Sequence, residues 1–264
     1  MDENSIFLKA GLTGQRFSGE LIIDAHIHIG PYHNFFIPAP TPEDILACAD
    51  KLGVRRMFAS GMAVNVDVAL ANQQAMNAHH QFPERFWPYT NVNAAYPDEI
   101  AATIEAADKQ GFYHFKLHRI GAAFSYDHPD YQAVYEYADE KESCILFHTW
   151  NQNDLRAIPD LAKKYRRIKF LLAHAGVAEV DKYIEIVKSV ANVYLELAGS
   201  PAKFNLVEFF VKSVGAERIL YGSDMPFINP NQQIGKVLFS RISDDEKRLI
   251  LGLNAERLFN IPES

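Results

Sequence analysis

The strongest constraint on this chain is an alternation of two periodicities. Eight short apolar runs read as strands, at residues 21–29, 54–60, 86–93, 112–118, 143–148, 168–174, 192–198 and 218–224. Their starts recur at intervals of roughly 24 to 33 residues. Segments with helical spacing lie between them. "TPEDILACADKLG" opens on Thr41-Pro42-Glu43 and closes on Gly53. "YPDEIAATIEAADKQG" opens on Pro97-Asp98 and closes on Gly111, and "HPDYQAVYEYADEKE" repeats the opening. Proline and acids in a first turn, with glycine after the last, punctuate helices. Strands alternating with helices imply a parallel sheet. Eight such units within 264 residues predict an α/β fold, a single closed (β/α)8 barrel, rather than an open doubly wound sheet. No linker divides residues 21–264, which read as one barrel domain. Residues 1–20 read as a short N-terminal extension over the bottom or the side of the barrel.

Composition excludes several classes. Apolar residues make up 48% and charged residues 22%, enough for a large core. The net charge is −7, and basic pairs such as Arg55-Arg56 and Arg166-Arg167 are short and scattered. That argues against nucleic acid or an anionic membrane as partner. Cys48 and Cys144 form no CxxC pair and read as free thiols of a reducing compartment. The first twenty residues do not read as a secretory signal, and no apolar run reaches membrane-spanning length. The expectation is a soluble cytoplasmic protein with a small-molecule substrate. A homodimer is compatible with it.

The polar residues fall where such a barrel does chemistry, at the C-terminal strand ends. The first strand, within "IIDAHIHIG", carries His26 and His28. Strict alternation would place Asp24, His26 and His28 on one face. The fourth run ends in Lys116 and His118, followed by Arg119. The fifth ends in His148, the sixth in His174 and the eighth in Asp224. Imidazoles with a carboxylate suit a borderline divalent cation such as zinc. Blander readings stand beside these. His26 and His28 could be a hydrogen-bonded core pair, and Asp224 a helix cap. His174 could bind substrate rather than metal. Asp24 fits an orienting or structural role. Arg119 suits a substrate carboxylate through its fork geometry, or a surface ion pair. His79 and His80 sit at a helix end and His128 before Pro129, all fitting structural roles. Tyr32, His33, Phe35 and Phe36 after the first strand, and Trp150 after the fifth, could roof an apolar or aromatic substrate.

The ordered set resembles the amidohydrolase superfamily, in its small amidohydrolase-related (amidohydrolase 2) branch. The motifs are Asp24-Ala25-His26-Ile27-His28, His148, His174-Ala175-Gly176 and Gly222-Ser223-Asp224-Met225-Pro226, with "LGLNAERLFNI" closing the chain at Leu251–Ile261. The resemblance implies one divalent metal ion, zinc before manganese, held by His26, His28 and Asp224 with His148, His174 or both. It gives Asp224 a part in proton transfer as well, with His174 next in line. In binuclear relatives a lysine ending the fourth strand is carboxylated and bridges two metals, which makes Lys116 either such a bridge or a partner of Asp224 or of an acidic substrate. Relatives often carry a smaller residue where this chain has Glu196. The first functional expectation is a metal-dependent hydrolase of a small amide, lactone or ester bearing an acid group, acting through metal-activated water. The alternative is a metal-dependent, non-oxidative decarboxylase of an aromatic or unsaturated acid. A barrel that binds without turnover would be expected to have lost members of the ligand set. A nuclease group shares the paired-histidine start but not the "GSDMPF" ending or the acidic charge.

Overall fold

A computed structural model describes residues 5–15, 19–34, 36–119, 124–199 and 203–261. Its strands are β1 (Ile23–Ile29), β2 (Arg56–Gly61), β3 (Phe86–Pro88), β4 (Thr90–Val92), β5 (Phe115–Leu117), β6 (Cys144–His148), β7 (Lys169–Ala173), β8 (Val193–Glu196) and β9 (Ile219–Leu220). Every ladder is parallel. The third predicted run is split at Tyr89, where the backbone turns from one neighbour to the other. Tyr89 N–H donates to Ala59 O on one side (2.8 Å), and Thr90 N–H donates to His114 O on the other (2.8 Å). This segment therefore joins β1–β3 to β4–β9. Three further bonds run between the first strand and the segment after β9. Ala25 N–H donates to Tyr221 O (3.0 Å), Asp224 N–H to His26 O (2.8 Å) and His28 N–H to Met225 O (2.7 Å). They close the strands into the (β/α)8 barrel.

Helix boundaries follow the punctuation. Helix Pro42–Leu52 is capped by the Thr41 hydroxyl, which accepts Asp44 N–H, and it ends on Gly53 at φ 73°. A left-handed residue after the last turn satisfies terminal carbonyls, and glycine takes that conformation without a Cβ penalty. Helix Pro97–Asp108 starts as expected but stops three residues before Gly111. No helix among the described residues is long and apolar enough to cross a membrane.

The barrel interior is filled from every side. Ile23, Phe58, Tyr89, Leu146, Leu171, Tyr194 and Leu220 form one buried cluster with Ala255, Leu258 and Phe259. Phe259 stacks on Phe58 with ring centroids 3.6 Å apart. The "NAERLF" segment is thus the floor of the barrel. The N-terminal extension takes the other of its two expected places. Its helix Ile6–Thr13 packs beside helices Pro230–Leu238 and Asp244–Arg248 on the flank, and Ile6 N–H donates to Asp244 Oδ2.

Asn254 ties this floor to the last strand. Its buried amide donates to Ala216 O and Ile219 O, each at 2.8 Å. Asn254→Ala should destabilise the protein by about 2 kcal/mol, the scale for buried carbonyls losing a donor. Urea unfolding measures this, and an unchanged midpoint would deny the tether its role.

Candidate functional site

β1 does not alternate strictly. Between Asp24 and Ile27 it spends three steps where β2 spends two, from Met57 to Ala59. That extra residue is a bulge, which resets the face on which later side chains emerge. Asp24 is therefore separated from the face of His26 and His28, contrary to strict alternation. Its Oδ1 instead accepts the N–H groups of His26 (3.1 Å) and Ser223 (2.9 Å), pinning the first strand to the "GSD" turn. Burial raises its carboxyl to about 7, against the Ser223 hydrogen bond.

Above the bulge the polar side chains converge. His26 Nε2 lies 3.2 Å from His28 Nε2 and 3.7 Å from Asp224 Oδ1. His28 Nε2 is 3.2 Å from the same oxygen. Lys116 Nζ reaches His26 Nε2 at 3.0 Å. His174 Nε2 meets His148 Nδ1 at 3.1 Å, and His118 stacks on His148 at 3.9 Å. Among the described residues, two buried triads within metal-binding reach share a member: His26, His28 and Asp224, and His26, His174 and Glu196. Asp224 and His174 both adopt left-handed backbone, at φ 58° and 62°. Such conformations are sparse outside glycine and gather at functional sites.

Electrostatics favour ligand chemistry. Burial, then the charge of Lys116, holds the His26 imidazole well below its ordinary range. Burial brings His174 to about 4 and His118 to about 3, and it holds His148 well below the ordinary value. These imidazoles are neutral near pH 7, the form that ligates. Burial works against the charge of Asp224, but the His28 hydrogen bond and the surrounding His174, His28 and Lys116 outweigh it and keep this carboxyl ionised. Burial also lowers Lys116.

The donor set therefore fits a divalent cation: His26, His28 and Asp224 offer two imidazole nitrogens and a carboxylate oxygen, buried and mutually close. The Lys116 ammonium, 3.0 Å from His26 Nε2, would oppose that charge, so cation binding and protonation of Lys116 compete. His148 stands beyond His174 and outside both triads. Arg119 Nη1 pairs with Asp154 Oδ1 at 3.1 Å, a largely buried ion pair where the sequence reading had a surface one. Asp154 also holds the loop after β6, accepting the N–H groups of Trp150 and Asn151. Aromatic rings border the site on two sides. Trp150 lies 6.0 Å from His148 and 5.3 Å from His174, and Phe227 lies 5.3 Å from His28. The sequence reading assigns Phe227 no role, because nothing local in "GSDMPF" shows its ring turning toward His28. Tyr32 packs on it at 4.7 Å, whereas Phe35 lies outside the described residues.

The sequence model of the amidohydrolase family matches residues 23–261. The chain belongs to that family. No curated protein matches this chain. Among solved structures, its fold is similar to that of 2,6-dihydroxybenzoate decarboxylase from Rhizobium (TM-score 0.74, 17% identity, covering 93% of this chain and 99% of that one). It is also similar to 5-carboxyvanillate decarboxylase from Sphingomonas paucimobilis (0.74, 16%, 92% and 99%). A third is dihydroxybenzoic acid decarboxylase from Polaromonas sp. JS666, solved with bound manganese and the inhibitor 2-nitroresorcinol (0.75, 18%, 93% and 98%). At these identities the likeness is one of fold.

The buried imidazoles make stability pH-dependent. His26, His114, His118, His148 and His174 all sit below their ordinary value of 6.5. As pH falls through that value the unfolded chain gains protons the folded chain does not, so stability falls with pH. Asp24 and Glu196, raised by burial, act in the opposite sense, but they are two groups against five. Metal-free protein should therefore unfold at lower urea at about pH 5 than at about pH 7. A midpoint that is flat or rises on acidification would contradict these buried neutral states.

Proposed function

We propose that this enzyme of the amidohydrolase superfamily is a metal-dependent decarboxylase that removes carbon dioxide from a small aromatic carboxylic acid. Hydrolysis was the first expectation from sequence. The solved structures described above support the alternative better, since all three are decarboxylases of aromatic acids. The observation that carries the reading is a buried donor triad with Phe227 against its His28 and Trp150 against the neighbouring His148 and His174.

In this reading His26, His28 and Asp224 hold one divalent cation. When bound, it supplies a Lewis acid that grips and polarises the oxygens of the substrate acid. Zinc and manganese both suit the donors. Trp150 and Phe227 enclose the ring and exclude water from its faces. Lys116 stays uncarboxylated and donates a hydrogen bond toward the substrate's oxygens, with His118 and His148 beside it. As carbon dioxide leaves, the electron pair of the broken carbon–carbon bond remains on the ring carbon. Asp224, ionised at rest, accepts the proton of the substrate's acid group and returns it to that ring carbon, with His174 the second group we assign to the transfer.

One observation favours hydrolysis as a second reading. Asp224 is a carboxylate beside the two imidazole donors, 3.2 Å from His28 Nε2, a position from which it would deprotonate a water. Products decide between them. Zinc- or manganese-loaded protein, screened against aromatic and unsaturated acids and against small lactones, amides and esters, should release carbon dioxide. Release of acid from an ester, lactone or amide, with no carbon dioxide from any acid, would replace decarboxylation by hydrolysis.

Asp224→Asn separates proton transfer from metal binding. Asparagine tolerates the left-handed backbone and keeps a ligand oxygen but loses the basic one. Turnover should fall by roughly 10²-fold or more with fold and metal retained. His26→Ala should lose metal first and activity as a consequence. Metal content and turnover measured on the same preparations test both, and near-normal turnover of Asp224→Asn would move the proton role to His174.

A further inference from the structure

Glu196 ends β8 with no exposed surface, and no step described so far uses it. Every contact it makes is to the site's framework. Its Oε2 lies 3.0 Å from His26 Nδ1 and accepts His174 N–H at 3.4 Å. Its Oε1 accepts Ala198 N–H. Lys236 pins the loop that follows, donating to Leu197 O and Gly199 O. The first glycine of the "GSD" turn is explained by the same pair. A Cβ on Gly222 would collide with Glu196 Oε1 and stand 2.8 Å from His26 Cβ.

A neutral imidazole has one proton for two nitrogens. At His26 the surroundings decide where it goes. Both Glu196 oxygens already accept backbone N–H groups, and in its carboxylate form the side chain offers Nδ1 only lone pairs, which calls for a proton there. On the other edge the Lys116 ammonium lies 3.0 Å from Nε2, nearer than the Asp224 oxygen at 3.7 Å, and an ammonium donates only, so it calls for a lone pair there. We propose that Glu196 is a positioning residue: it accepts Nδ1–H of His26, fixes that tautomer and ring plane, and so aims the Nε2 lone pair at the cation that His28 and Asp224 share. A carboxylate bonded to the far nitrogen of a ligating histidine also raises its basicity. The cation part rests on the metal-dependent reading above; the tautomer does not. Aspartate, one methylene shorter, would not keep both the His26 and the Ala198 bonds.

The test begins on metal-free protein with ¹⁵N-labelled histidine. Long-range ¹H–¹⁵N spectra should show His26 protonated at Nδ1 with a bare Nε2. The isosteric Glu196→Gln should shift His26 toward the other tautomer and weaken zinc binding about 10–100-fold, read by competition with a chromophoric chelator. Gly222→Ala should weaken zinc binding through the same pair with Glu196 still present. A wild-type His26 protonated at Nε2 would overturn the proposal without any variant, so misfolding of Glu196→Gln cannot shelter it. Unchanged tautomer and zinc affinity in that variant would reduce Glu196 to packing and overturn it too. Two zinc ions per chain, one of them lost in Glu196→Gln, would make Glu196 a ligand instead. The expected tautomer in a protein that binds neither zinc nor manganese would uphold Glu196's hold on the ring and overturn the metal-dependent function.

Discussion

The hydrogen bond from Asp224 N–H to the carbonyl of His26 does two things at once. It belongs to the seam that joins the last strand to the first, and it sets the carboxylate of Asp224 beside the imidazoles of His26 and His28. Without that seam the sheet would be an open ribbon, with its first and last ligands at opposite edges. Site and architecture are therefore one constraint, and neither forms without the other. Asp24 reinforces the seam from below through Ser223, so an acid close to the ligands in sequence serves the framework.

Much of this was legible in the sequence because strand ends are addresses in a barrel. His26, His28, His174, Lys116 and Asp224 were each read at such an end, and the structure brings them together. Arg119 was the harder case. Its pairing with Asp154 depends on a loop whose course no local pattern records. The separation of Asp24 from His26 was hidden for a related reason. Alternation is a local rule, and a bulge appears only when β1 is laid against β2.

Glu196 shows another limit. In sequence it was an oddity, a long acid where relatives often carry something smaller. Its partner is 170 residues away, and only the closed barrel brings them within hydrogen-bonding distance. The glycine of "GSD" was likewise a motif letter until the volume beside it proved to be filled by that pair. Polar residues buried in a core identify themselves by what they touch, and those contacts are non-local here.

The placement of the floor has a bearing on how the chain comes to be made. β1 waits for partners about the "GSD" turn, and Asp24 and Ser223 are 199 residues apart. At ribosomal speeds that separation corresponds to roughly 10–40 s of synthesis. Through that interval the growing sheet has two unpaired edges, and the inner faces of Phe58, Leu146 and Leu171 lack the cover that Leu258 and Phe259 later provide. The nascent barrel is thus an open trough with apolar inner faces until the segment carrying Leu258 and Phe259 emerges.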